Sequence, residues 1–271
     1  MQNQQLVKTN TKLNRMNGEL NLYFEKKGMR TKLTRSHHSS PLKSSKALYM
    51  DEDGTATVYL METSGGMVEG DSNYYDISVT CDSHVSLIPQ SATKVYPSRL
   101  DLPCRQSIKL IVEDQASLKW LPETIIPFEN SIFHGNTKIK LHSHSSLLYS
   151  EIFSSGRQKS DESFEFNHFS SKTLIYVDEK LVVYDHLNVK KESSPIFQLG
   201  MFEDYTYMGT LWYIAPLATK GTYEEVSRDF NEGECHRFGF TNIDHYGVHF
   251  RWLSNDLCLV KNQMTHLIHY L

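Results

Sequence analysis

The chain has little of what would staple, anchor or strongly charge a protein. Its four cysteines, Cys81, Cys104, Cys235 and Cys258, lie 23, 131 and 23 residues apart with no C-x-x-C pair. That spacing excludes a zinc cage or a small disulfide framework, and the thiols read as reduced and mostly structural. No apolar run approaches the roughly eighteen residues of a spanning helix. The opening Met1–Met16 is polar, with no apolar stretch behind a basic start, so a cytoplasmic location is expected. Lys plus Arg number 28 against 32 Asp plus Glu, a net charge of −4. A phosphate-neutralising surface needs clustered cations. The longest basic stretch, Lys26–Arg35, holds only five, interrupted by Gly28, Met29 and Leu33, and reads as a solvated strand and turn. Neither nucleic acid nor a membrane is an expected partner. Glycine (14) and proline (8) are too sparse for a low-complexity linker, and no repeat of fixed period is visible.

What the chain does have is period-two alternation in short runs from Glu19 to about Leu187, the pattern of strands with one buried face. Leu20, Leu22 and Phe24 alternate, as do Ala56, Val58 and Leu60, then Ile77, Val79 and Cys81, then Val85 and Leu87. Ile108, Leu110 and Val112 repeat the pattern, followed by Leu118 with Trp120, Ile139 with Leu141, Phe164 with Phe166, and the run Leu174–Leu187. No long helical pattern separates these runs, which argues against a doubly wound α/β fold. A chain of this length buries roughly three quarters of its unfolded surface. The last seventy residues read differently. Thr222–Phe230 offers a short helix, with Thr222 and Glu225 at capping-box spacing. Val248–Leu253 reads as a strand. A final helix, capped by Ser254 or Asn255, carries Leu257, Val260, Met264, Leu267 and Leu271 on one stripe. The expectation is a mainly β protein of stacked short strands with about two C-terminal helices. Residues 1–271 form one domain in this reading, with 1–16 as a flexible segment and 221–271 as a helical part packed on the sheets.

Searching for catalytic chemistry mostly excludes it. Gly65-Gly66-Met67-Val68-Glu69-Gly70-Asp71 is glycine-dense but ends in Gly-Asp, not the Gly-Lys-Ser/Thr that reaches phosphate and magnesium. Strands flank the loop on both sides, against the dinucleotide fingerprint, so its glycines serve positive φ and close backbone approach. There is no Gly-x-Ser-x-Gly elbow. Of the thirteen histidines, His37 and His38 are adjacent, His142 and His144 share a face if they lie on a strand, and His266 and His269 share a side of the last helix. Neither of the latter two pairs has a third ligand in reach and no His-Glu-x-x-His occurs, which favours surface or packing histidines over a dedicated metal site.

Two acids stand out instead. Glu151 lies in phase with Leu147, Tyr149 and Phe153, and Asp185 with Leu181, Val183 and Leu187. If that phase is the core side, two carboxylates point inward and each must be hydrated, protonated, paired or bound to a cation. Alternatively these strands bury both faces, or place Ser150, Ile152, Val182 and Tyr184 inside. Spacing leaves both readings open.

Read in order, the motifs resemble the urease accessory protein UreD family, called UreH in some organisms. They are Gly18-Glu19-Leu20-Asn21-Leu22; Pro41-Leu42 with Leu48-Tyr49; Gly65 to Asp71; Gln90-Ser91-Ala92-Thr93-Lys94-Val95-Tyr96; Leu121-Pro122-Glu123 with Ile126-Pro127-Phe128; and Gly156-Arg157. Ser64 departs from the proline that usually opens the family's glycine loop, and the C-terminal third matches by pattern more than by identity. The resemblance implies a β-helix-like scaffold with a few helices, without enzymatic activity of its own. It also implies that the scaffold binds UreF directly and the GTPase UreG through it, docks on apo-urease in a dimer of heteromers, and passes nickel through an internal water-filled tunnel without holding a tight cofactor. By motif position, the family's metal-transfer acids fall at Asp71, Glu151 and Asp185. Two other readings compete: a carbohydrate-active β hydrolase using Glu151 and Asp185 as acid and base, and a stand-alone nickel store built on the histidines.

Overall fold

The computed structural model describes residues 15–50, 52–192, 195–216, 230 and 236–271. Seventeen strands run in order among them: β1 (Asn17–Lys27), β2 (Arg30–Ser39), β3 (Leu42–Ser44), β4 (Ala56–Glu62), β5 (Ser72–Val79), β6 (His84–Gln90), β7 (Thr93–Val95), β8 (Cys104–Val112), β9 (Ser117–Trp120), β10 (Thr124–Pro127), β11 (Ile132–Leu141), β12 (Ser146–Ser154), β13 (His168–Val177), β14 (Lys180–Lys190), β15 (Tyr207–Ile214), β16 (His236–Ile243) and β17 (Gly247–Ser254). One α-helix, α1 (Leu257–Tyr270), follows.

The strands form two sheets, and the chain crosses between them repeatedly from β4 to β13. The first sheet has the order β14-β13-β11-β8-β5-β1-β2. The second has the order β16-β17-β15-β12-β9-β6-β4-β3, with β10 beside β12 and β7 beside β10. Because β4, β6, β9 and β12 alternate in sequence with β5, β8, β11 and β13, each coil adds one strand to each sheet. Neighbours within the coils are consequently parallel, and the arrangement is β-solenoid-like. Antiparallel neighbours cover the ends, β2 on β1 at one side and β14 on β13 at the other, with β15, β17 and β16 extending the second sheet. These covers protect edges that would otherwise offer unpaired backbone groups to other chains. The coils begin at residues 56, 84, 117 and 146 on the second sheet. Their unequal lengths explain why no fixed repeat is visible.

Alternation places Leu20, Leu22, Phe24, Val58, Ile77, Leu110, Leu118 and Ile139 between the sheets, all essentially without solvent contact. Each fully buried side chain of this kind contributes roughly 1.5–3 kcal/mol. The run Leu174–Leu187 is not one strand. Asp178 and Glu179 both take positive φ and turn it into the β13–β14 hairpin, as two-residue hairpin turns require. The strand expected at Val248–Leu253 is β17, and part of the segment expected to be helical is also strand: residues 236–243 form β16, whose mix of Gly, aromatic and charged residues hides the alternation. The helix expected at Thr222–Phe230 lies outside the described residues except for Phe230, which is buried. Asp256, rather than Ser254 or Asn255, caps α1, its carboxylate accepting from the Cys258 and Leu259 amides at 2.8 and 3.3 Å. Ser254 Oγ instead takes the Asp256 amide at 3.0 Å. Val260, Met264, Leu267 and Ile268 bury the helix on the outer face of the second sheet, against Leu148, Ile152, Leu211, Phe250 and Trp252.

The second sheet bends along a line. The chain leaves β6 at Gln90 and resumes as β7, leaves β9 at Trp120 and resumes as β10, and β12 pairs with both β9 and β10. Met67 of the glycine loop bridges to Val95 beside this line. Gly66 has φ of +139°, and a Cβ there would approach Lys94 O at 2.9 Å, so backbone approach fixes the residue. Tyr96 packs on Phe128 with ring centroids 4.9 Å apart, and the Arg157 guanidinium lies 4.4 Å from the Phe128 centroid. The glycine loop, Gln90–Tyr96, Leu121–Phe128 and Gly156-Arg157 are therefore the bend and border residues of successive coils.

Two substitutions test the docking of α1. Asp256→Ala removes one cap and should cost about 1 kcal/mol, whereas Met264→Ala opens a cavity under the helix and should cost about 2–5 kcal/mol. Urea unfolding of both variants should show that order.

Candidate functional site

The space between the sheets is not uniformly apolar. One hydrophobic cluster includes Ile139, Ile175, Tyr149 and Trp212, and a second includes Phe133, Phe169, Phe153 and Met208. Each of these residues belongs to β11, β13, β12 or β15, so the same four strands contribute to both clusters. Between the two contributions each strand carries a polar or small residue facing inward. On the first sheet Thr137, Thr173 and Asp185 are directly paired across β11, β13 and β14. On the second, Glu151, Thr210 and Arg251 are paired across β12, β15 and β17. In-register stacking thus converts single polar residues into two facing polar rows.

Glu151 lies on the inter-sheet face, and β12 also buries its other face, where Leu148, Ser150 and Ile152 are out of solvent. Both open readings of this strand hold at once. The Tyr149 hydroxyl donates to Glu151 Oε1 at 2.5 Å and lies 3.1 Å from Thr137 Oγ1. Burial raises the Glu151 pKa above its ordinary 4.5. The bonds from the Tyr149 and Ser171 hydroxyls oppose that rise, and the Asp185 charge adds to it. Asp185 is anchored differently. Val183, Asp185 and Val189 follow the inward phase, but Leu181, in the same expected phase, is 45% exposed. The β-bulge between Ile175 and Tyr176 breaks the pairing there. Arg251 Nη2 donates to Asp185 Oδ2 at 2.9 Å, closing an ion pair from one sheet to the other.

Three spaces meet at these acids. An open cleft of about 410 Å³ is bordered by Asp185, Trp212 and His249. Asp185 and Trp212 also line a narrow cavity of about 20 Å³, together with Glu151, Ser171, Thr173 and Thr210. Glu151 and Ile125 in turn line a further cavity of about 40 Å³ with Gln106, Trp120 and Glu123. The sequence Asp185 then Glu151 therefore traces a polar line through the sandwich. The narrow cavity holds about one water and leaves no room for a sugar ring between the two carboxylates, against the glycosidase geometry. An aromatic row, Trp120, Tyr149, Trp212 and His249, flanks it at centroid separations of 5.8, 5.9 and 5.1 Å. Burial, with Arg251 adding and Asp185 opposing, lowers the His249 pKa to about 4. A neutral imidazole therefore stacks on Trp212 beside Asp185. Sequence reading missed Thr137, Thr173, Thr210, Arg251 and His249. Their signal was a polar residue at an inward position of an alternating run.

Asp71 is not brought to this line. It is 3% exposed, its Oδ1 accepting from the Met16 amide at 2.8 Å and its Oδ2 from the Val68 amide at 2.9 Å. Both oxygens organise the glycine loop. The neighbouring Cys104 thiol, which donates to Val68 O at 3.1 Å, has its pKa pushed up to about 12, chiefly by burial and then by the Asp71 charge. The histidine reading needs correction. His142 and His144 are not on a strand face but in the turn between β11 and β12, and a third ligand is in reach: Asp114, from the preceding coil. Its distance of nearly thirty positions along the chain hid it. His37 and His38 lie on β2 and His266 and His269 on α1. Among the described residues, the His142 group alone forms a three-ligand cluster.

The class of protein so defined is a β-solenoid-like scaffold with an acid-bearing polar line through its interior. A family model for the UreD urease accessory protein matches residues 16–271. Similar relatives are the urease accessory protein UreD of Halalkalibacterium halodurans, 38% identical over 249 residues covering 92% of this chain and 91% of that one; that of Lysinibacillus sphaericus, 36% over 239 residues covering 88% and 89%; and that of Sporosarcina pasteurii, 33% over 246 residues covering 90% and 96%. The chain belongs to the UreD family of urease accessory proteins.

The raised Glu151 pKa has a signed consequence. A carboxyl raised on folding stabilises the fold fully below its unfolded pKa, and that contribution is lost as pH rises through the folded value. Glu151→Gln should therefore gain melting temperature relative to the parent as pH climbs above about 4.5, with no gain in acid. A difference independent of pH would contradict the burial argument.

Proposed function

We propose that this chain is a non-enzymatic scaffold and nickel conduit in urease maturation, docking on apo-urease together with UreF and, through UreF, with the GTPase UreG. The observation that carries the reading is the pair of polar rows through an otherwise apolar interior, with Glu151 and Asp185 linking three successive spaces. A buried carboxylate is costly unless water, a partner or a cation compensates it. Hydroxyls and carboxylates also bind nickel more weakly than thiolates or several imidazoles, so an ion on such a line is released as readily as it is bound. Arg251 acts as the counter-ion at the cleft end. An incoming cation competes with the guanidinium for Asp185, and the narrow cavity widens as the pair opens. With no phosphate-binding glycine loop, energy coupling by nucleotide hydrolysis falls to UreG. The cytoplasm is the compartment that suits its reduced thiols.

Asp71 enters this reading as an organiser of the glycine loop. Its replacement by Ala should destabilise the chain, leaving two part-buried amides without acceptors at a cost of no more than about 1–3 kcal/mol each.

Glu151→Gln and Asp185→Asn, each assayed with UreF and UreG on apo-urease, should lower nickel-dependent activation by at least about tenfold, the lower end of what altered metal surroundings cost. The complex should still assemble on size exclusion. Full activation by both variants in intact complexes would remove the conduit. Failure of the wild-type chain to join UreF would remove the scaffold.

A further inference from the structure

We propose that Asp114, His142 and His144 form a binding site for a divalent first-row transition-metal ion on the rim of the solenoid, separate from the interior line. The site exists because coils stack. The turn after β8 carries Asp114, and the turn after β11 in the next coil carries both histidines. The turns are fixed to each other by the His142 amide on Val112 O at 3.0 Å and the Ser146 amide on Ala116 O at 2.9 Å. Within its own turn the His142 carbonyl accepts from the Ser145 amide at 3.0 Å and from Ser145 Oγ at 2.7 Å. The Ser143 amide donates to Asp178 Oδ1 at 3.0 Å, tying the turn to the coil beyond.

On this frame His142 Nδ1 lies 3.0 Å and His144 Nδ1 3.1 Å from the same Asp114 Oδ1. The three ligand atoms all fall within 4.8 Å of one another. Ligands at about 2.0–2.2 Å from a shared ion stand roughly 3 Å apart, which is the separation two of the three contacts already have. Two imidazoles with one carboxylate are donors suited to nickel, zinc or copper and poorly suited to magnesium or calcium. Three protein ligands leave the remaining positions to water. The side chains of Asp114, His142 and His144 are 41%, 42% and 66% exposed, so an ion arrives and leaves through solvent. Thr137, on the interior line, is five residues from His142 along β11, about 16 Å at the rise of a strand. The apolar pair Ile139 and Leu141 lies between.

The test is equilibrium dialysis of the full chain against Ni²⁺ with metal analysis, repeated in excess Mg²⁺. The wild type should hold one more equivalent than His142→Ala/His144→Ala, or hold it at least about tenfold more tightly, and Mg²⁺ should not displace it. Asp114→Asn preserves the size of the side chain, so it tests the site should the double variant fail to fold. It should weaken the same equivalent and alter the visible absorption of the Co²⁺-loaded protein. Glu151→Gln and Asp185→Asn should leave that equivalent in place, so the rim site and the conduit fail independently. Absence of bound nickel in the wild type, or equal binding by the wild type and Asp114→Asn, would overturn the proposal.

Discussion

A carboxylate held between two apolar sheets governs the interior of this protein. Glu151 is only partly open to solvent, on a strand whose other residues from Leu147 to Ser154 are all buried on one face or the other. Its ionised form must be supported by neighbours or lost by protonation. The Tyr149 and Thr137 hydroxyls supply part of that support. The rest of the surroundings follow from register. Thr210 and Arg251 stand beside Glu151 on one sheet, and Thr173 and Asp185 stand beside Thr137 on the other. The polar rows thus run across six strands, three in each sheet, and divide the hydrophobic core between the sheets in two.

The same stacking builds the outside of the molecule. Four of the motifs that resemble the UreD family, the glycine loop, Gln90–Tyr96, Leu121–Phe128 and Gly156-Arg157, are scattered over the sequence, yet they gather along the line where the second sheet bends and the chain passes from β6 to β7 or from β9 to β10. Their glycines and prolines answer local backbone needs, and Tyr96, Phe128 and Arg157 close the corner by ring and cation contacts. At the opposite ends of the coils, the turns after β8 and β11 meet in the cluster of Asp114, His142 and His144. The inner line offers oxygen donors and the rim adds imidazoles, so the two places differ in how firmly each would grip a transition-metal ion.

Much of the architecture was legible because alternation is a local property. The strands around Leu20, Val58, Ile77, Leu110 and Leu118 follow directly from period two. Failures came where local pattern was ambiguous. The hairpin turn at Asp178-Glu179 carries no glycine and passed unseen inside the run Leu174–Leu187. The glycine, aromatic and charged residues of β16 read as part of a helical tail, whereas β17 was legible from Val248–Leu253. Ser254 and Asn255 compete with Asp256 as caps, and only backbone geometry chooses between them. Of the three acids selected from the family's motifs, Glu151 and Asp185 share the interior line, whereas Asp71 is fully engaged by backbone amides.

Sequence alone determined which residues prefer to be buried, where strands form, and that two carboxylates fall in an apolar phase, because each depends on residues within a few positions of one another. Only the tertiary structure decided that strands would stack in parallel coils, which polar residues would face one another, and that Asp114 would meet His142 and His144. Those relations depend on the register between segments far apart in the chain. Register is set by coil length and by packing between the sheets, neither of which leaves a local mark.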